Sequence, residues 1–63
     1  MEKYYWFGVV GEYNEHCGEE FIVAAASLKE AKSMAKDLFP GEEIRSYGRV
    51  SEFESEMMGL DVY

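Results

Sequence analysis

Cysteine, proline and basic side chains are what this chain has least of: one Cys, one Pro and six Lys or Arg in 63 residues. With Cys17 alone, no internal disulfide can staple the fold, and a cytosolic setting fits best. Thirteen acids stand against the six bases, giving a net charge of -7 and a pI near 4.5. Such a balance excludes direct binding to nucleic acid phosphates or anionic membranes, because both are repelled. Long apolar runs are also lacking. Residues 4–10 form an apolar stretch too short and too aromatic for a signal peptide and far short of a membrane span. Repeats, low-complexity tracts and linkers are absent from the sequence, so residues 1–63 are read as a single small domain. A chain this short buries only about 60% of its unfolded surface, which leaves no room for a deep cofactor cavity, and no cofactor is expected. What the chain does have is apolar material: 48% hydrophobic and 16% aromatic residues, enough to argue against disorder.

That material is arranged in strand-length and helix-length blocks. From Tyr4 to Tyr13 the sequence YYWFGVVGEY is apolar on both alternating faces, as in a central strand covered on both sides. Asn14 to Gly18 carry turn chemistry, and residues 20–26 (EFIVAAA) form a second strand, so the two are expected to pair as an antiparallel hairpin. Ser27 and Glu30 have the spacing of a capping box that opens a helix. Leu28, Ala31, Met34, Ala35, Leu38 and Phe39 fall within an arc of roughly 140° at helical periodicity. Phe39-Pro40-Gly41 ends that helix. Glu43 to Val50 alternates, with Ile44, Ser46, Gly48 and Val50 on one face and Glu43, Arg45, Tyr47 and Arg49 on the other. A right-handed crossover carries this third strand to the free side of the first, which predicts the order 2-1-3. The expected fold is α+β: ββαβ with one helix on one face of a three-stranded sheet, plus a short C-terminal helix.

The last segment supports two readings. Ser51 and Glu54 make a second capping box and Gly59 is placed to stop a helix, yet Glu52, Glu54 and Glu56 also alternate with Phe53, Ser55 and Met57 as in a strand. The agreement of the two end signals favours a helix over residues 52–58. Phe53 and Met57 then share a face at i, i+4, with Leu60 one turn on. With Met58 they are expected to cover the sheet face opposite the main helix. Otherwise Tyr5, Phe7, Tyr13 and Tyr47 are exposed as an aromatic interface for a homodimer or partner, since aromatics are enriched at interface cores.

Charge is uneven along the chain: -4 over residues 1–26, +1 over 27–40 and -4 over 41–63. The helix carries Lys29, Lys32 and Lys36 on one flank, read as solvated side chains whose stems cover the apolar rim. The acids fall at the hairpin turn (Glu12, Glu15, Glu19, Glu20) and in the C-terminal third (Glu42, Glu43, Glu52, Glu54, Glu56, Asp61). They serve solubility, or they form a surface that docks on a basic protein partner with charge steering the encounter. Carboxylates held on a rigid surface can also stand in for phosphates in a basic groove, as a nucleic acid mimic.

Signals for chemistry are weak. His16 and Cys17 adjoin in the predicted turn near Glu15, Glu19 and Glu20, but one His and one Cys do not fill a tetrahedral zinc site, so no metal is expected. Gly8, Gly11 and Gly18 lack the Gly-Lys-Ser/Thr end of a phosphate loop and mark a bulge or close packing instead. No nucleophile, base and orienter can be nominated, so no catalytic residue and no enzyme activity is expected.

From Phe21 to Phe39 the apolar strand, the Ser27 cap, Glu30-Ala31 and Ala35, followed by the acidic tail SEFESEMMGLDVY, resemble small acidic proteins of phages and mobile elements of Gram-positive bacteria. Some proteins of that class inhibit host defence systems, including CRISPR effector nucleases, by occupying basic nucleic-acid-binding surfaces. The resemblance implies an anti-defence interaction module acting in the cytoplasm of a bacterial host, with a nucleic-acid-binding defence enzyme as its partner. It transfers no functional residues.

Overall fold

A computed structural model describes residues 2–10 and 19–63. The elements run β1 (Lys3–Val9), β2 (Glu20–Ala25), α1 (Leu28–Leu38), β3 (Ile44–Val50) and α2 (Glu52–Met58). The sheet order is β2-β1-β3 with both pairings antiparallel, the expected 2-1-3 arrangement in an α+β fold. Residues 11–18, which hold the predicted turn at Asn14 to Gly18 and the outer end of the first predicted strand, lie outside the described residues.

Alternation in β1 and β2 sorts side chains between two faces. Tyr5 opposes Val23, Phe7 opposes Phe21 and Lys3 opposes Ala25. Tyr5, Phe7, Phe21, Val23 and Ala25 form the main core with Ala31 and Ala35 of α1. Tyr5 and Phe7 are therefore buried under α1, and neither is available as the interface residue expected from the sequence. The reason is the phase of α1. Its two alanines give the helix a side thin enough to settle on the sheet, and the nearest large rings are then sealed beneath it. Ser27 caps α1 by accepting the Glu30 N–H at 3.2 Å, while the return bond of a capping box is not formed. The helix closes at Phe39, whose N–H donates to the Ala35 carbonyl at 3.2 Å.

The opposite face carries Tyr4, Trp6, Ile22 and Val50, and of these Ile22 and Val50 are buried without belonging to the α1 core. α2 and the segment after it cover this face. A second sheet feature was not anticipated: residues 61–63 pair in parallel with β2 along its outer edge. The Ile22 N–H donates to the Asp61 carbonyl at 2.9 Å, the Tyr63 N–H to Ile22 at 2.8 Å and the Ala24 N–H to Tyr63 at 2.9 Å. The chain thus crosses from β2 to β3 over one face through α1, then returns from β3 to the far side of β2 through α2. Both crossovers can be right-handed only if they use opposite faces, and the two helices do so.

β3 departs from the simple alternation. Its register against β1 shifts between Trp6 and Phe7, so that Gly48 opposes Trp6 while Ser46 opposes Phe7. Tyr47 is the extra residue of this bulge. Ile44 and Ser46 therefore face α1, whereas Gly48 and Val50 face the other way, and the single face expected for all four is split in two. Gly48 makes this feasible because it adopts φ +109°, a conformation that side chains with a Cβ disfavour. Tyr47 lies against Trp6 with ring centroids 4.7 Å apart and passes over Gly8. A Cβ on Gly8 would sit 2.8 Å from the Tyr47 ring.

Gly8→Ala is expected to push Tyr47 off Trp6 and cost about 1 kcal/mol, the worth of such an aromatic pair. On a Tyr47→Ala background the same change is expected to cost nothing. A double-mutant cycle by urea denaturation, read through Trp6 fluorescence, measures the difference. Equal costs on both backgrounds would show that Tyr47 is not what Gly8 accommodates.

Candidate functional site

α2 is built by its ends. The Ser51 hydroxyl accepts the Glu54 N–H at 3.0 Å and the Glu54 carboxylate accepts the Ser51 N–H at 3.3 Å, a complete capping box. Gly59 terminates the helix at φ +67°. Glu52 and Glu54 lie in the first turn, where the helix dipole favours negative charge. The helix reading of residues 52–58 holds, and the strand reading falls.

The face that α2 buries is not the one expected. Ser55 is 4% exposed, and Met58 and Leu60 are half-buried, whereas Phe53 is 69% exposed and Met57 73%. Phe53 and Met57 share a face as predicted, but that face points to solvent. Two physical features fix this phase. The cap places Ser51 directly after Val50, the last residue of β3, so the rotation of α2 is set where it leaves the sheet. Ser55 is small, and its hydroxyl satisfies itself by donating to the Glu52 carbonyl at 2.7 Å, so a polar residue can face the sheet without an unpaired group. Leaving Phe53 in water forgoes roughly 1.5–3 kcal/mol of burial. α2 is an amphipathic helix turned inside out: serine inward, phenylalanine and methionine outward, with Glu52, Glu54 and Glu56 exposed around them.

The other predicted acids divide into groups. Glu19 and Glu20 begin β2 while Glu42 and Glu43 precede β3, and both pairs flank the last residues of β1. The Val9 N–H donates to the Glu19 carbonyl at 2.8 Å and the Val10 N–H to the Glu43 carbonyl at 2.9 Å. Two strand spacings put those backbones about 10 Å apart. Asp61, beside Ile22 on the outer edge of β2, belongs to the same end. Glu52 and Glu54 start at the far end, where β3 stops, and Glu56 lies between. The acids form a trail along α2 leading to a cluster at one end of the sheet, rather than a single compact face. Glu12 and Glu15 lie outside the described residues.

Of the predicted aromatic interface, Tyr47 is exposed, Tyr5 and Phe7 are core, and Tyr13 lies outside the described residues. Trp6 is held between Tyr47 and Glu20, donating its indole N–H to the Glu20 carboxylate at 3.1 Å. Glu20 is thus partly engaged within the chain. His16 and Cys17 also lie outside the described residues, and among the described residues no three His, Cys, Asp or Glu side chains converge as a metal set. Among the described residues no helix is long and apolar enough to cross a membrane. Sequence reasoning named the acids of α2 but placed Phe53 and Met57 in the core. Read by amphipathic pattern alone, Ser55 would face water and Phe53 and Met57 the sheet; the cap at Ser51 directly after Val50 was the available signal for the opposite phase.

Ser51→Ala removes the reciprocal cap and is expected to cost about 1 kcal/mol, with loosening confined to α2 and the segment after it. Hydrogen exchange should quicken at Ser55 and Gly59 and stay unchanged in α1. Comparison with protein families, curated proteins and solved structures finds no match for this chain.

Proposed function

We propose that this chain is a protein-interaction module that docks on a basic partner through the outward face of α2. The observation that carries this reading is the pair Phe53 and Met57, exposed on a helix that buries Ser55 instead. Phenylalanine and methionine are the residue types of interface cores, and a fully desolvated aromatic anchor is where binding energy concentrates. Glu52, Glu54 and Glu56 supply the rim. The complementary surface is an apolar recess edged by lysine or arginine. Charge steers the encounter and apolar burial holds the complex.

Proteins that bind nucleic acid carry basic surfaces that pair with phosphates, and covering such a surface blocks that binding. The module is therefore read as an inhibitor of a nucleic-acid-binding protein, with the anti-defence role implied by the phage-type resemblance as its specific form. The burial of Tyr5 and Phe7 beneath α1 speaks against a homodimer that uses those two rings. Symmetric pairing through α2 is disfavoured as well, since it sets Glu52, Glu54 and Glu56 against their own copies.

The test uses a partner captured from bacterial lysate at low salt, followed by kinetics on the isolated pair. Phe53→Ala with Met57→Ala is expected to raise Kd about tenfold or more, chiefly through faster dissociation. Reversing Glu52, Glu54 and Glu56 to Lys is expected to slow association and flatten its salt dependence. Excess chain should displace nucleic acid from the partner. Affinity indifferent to both sets of changes would overturn the reading.

A further inference from the structure

All but Lys3 of the six bases of this acidic chain stand on α1 and β3. Lys29, Lys32 and Lys36 occupy one flank of α1 and Arg49 lies on the α1 face of β3, while Arg45 stands on the other face of the same strand, opposite Gly8. Lys32 and Lys36 reach over an open groove of about 260 Å³ between α1 and β3, with Phe7, Ile44 and Ser46 as its other walls. β3 is an outermost strand: β1 pairs with one side of it, and among the described residues no strand pairs with the other. The opposite edge of the sheet is different, because residues 61–63 already cover β2 there.

We infer that the β3 edge and the groove beside it form a second docking site, which accepts an acidic segment of another protein as an added strand. An added strand pairs its backbone with the unpaired groups of Ile44 to Ser46, the regular stretch before the bulge at Tyr47. Its alternate side chains then point into the α1 groove. Successive same-face positions on a strand are about 7 Å apart, and Lys32 and Lys36, one helical turn apart, are separated by about 6 Å along their axis. Carboxylates at alternate positions therefore match the two ammonium groups. Arg49, which opposes Tyr5 on the same face of β3, continues the basic row beyond the bulge.

The same charges select against a second copy of this chain. A second copy would bring the same lysine flank and the same Arg45 and Arg49 to this edge, and like charges brought together there are destabilising. The basic edge thus favours an acidic strand over a second copy of this chain. This site shares no residue with the α2 surface, so its success or failure is independent of that reading.

The probe is a fluorescein-labelled, end-blocked peptide of alternating Glu and Val, titrated against the full chain and followed by anisotropy. Binding is expected, together with slower amide exchange across Ile44–Ser46. A Lys-Val peptide should not bind. N-methylation at alternate residues of the Glu-Val peptide removes its ladder donors and should weaken binding about tenfold or more. Lys32→Gln with Lys36→Gln should do the same, while Lys3→Gln and the Phe53→Ala, Met57→Ala pair should leave binding unchanged. Absence of binding, equal binding of the N-methylated or Lys-Val peptide, or unchanged affinity in the Lys32, Lys36 variant would each overturn the inference. So would a stable dimer of the chain that the peptide does not dissociate, which assigns the edge to a second copy.

Discussion

Phe21 is touched from three separate parts of the chain. Its ring lies 5.8 Å from Phe7 on β1, 4.9 Å from Phe39 at the end of α1 and 5.9 Å from Tyr63 in the C-terminal segment. Each contact fixes a different element. The Phe7 pair joins the two strands of the hairpin on the face that α1 covers. The Phe39 contact stops α1 where Pro40 turns the chain towards β3. The Tyr63 contact, nearly perpendicular, anchors the segment that returns beneath α2. With no disulfide to hold these parts, a domain of this size depends on a few large rings in mutual contact. Phe21 is where the two crossovers, one on each face, are fastened together.

Much of this was legible in the sequence, for identifiable reasons. β1 is apolar on both alternating faces because it is the central strand, and its position follows from the handedness of the crossover. The phase of α1 follows from Ala31 and Ala35 together with the Ser27 cap. These are signals of period and of chain ends, and they survive tertiary packing because the packing was what produced them. The features that were not legible are of another kind. Alternation in β3 reads as one strand face, but Gly48 and the space over Gly8 let Tyr47 be squeezed out as a bulge, which exchanges the faces midway. Nothing in a period of two marks the residue at which it breaks. Glycine marks the permission only. The pairing of residues 61–63 with β2 was hidden for a similar reason, because so short a segment has no periodicity to read.

The charge pattern acquires a geometry that the linear tally did not have. The slight positive excess over residues 27–40 joins Arg49 on one side, because the lysine flank of α1 faces the groove beside β3. The acids of residues 19–20, 42–43 and 61 gather at one end because two strands begin there and the edge segment arrives there. Strand direction alone accounts for that cluster: antiparallel neighbours of β1 must both start where β1 stops. A net charge of -7 therefore describes an asymmetric molecule, basic along one edge and acidic at one end and along α2. Solubility would be served by any even spread of the same residues. The acidic end follows from strand direction, whereas the basic edge and the acids of α2 are where the two proposed contacts lie.

The outward face of α2 is a consequence of its caps as much as of its composition. As a strand, residues 52–57 would place Phe53, Ser55 and Met57 together on one face, and the two large side chains could turn to the sheet. As a helix, Phe53 and Met57 remain together but Ser55 turns to the opposite side. One face must then go outward. Capping residues decide between these states: Ser51 and Glu54 satisfy two backbone donors at the start, and Gly59 supplies the left-handed residue at the end. Length enters too. Seven residues span about 10 Å as a helix and about 23 Å as a strand. A strand continuing from β3 would carry Met58 past the end of the sheet, whereas the helix lets the chain turn back and deliver Asp61 to Ile22. The exposed pair is thus tied to the return of the chain: the helix that closes the sheet edge is the same one that presents Phe53 and Met57, and changes that melt it lose both.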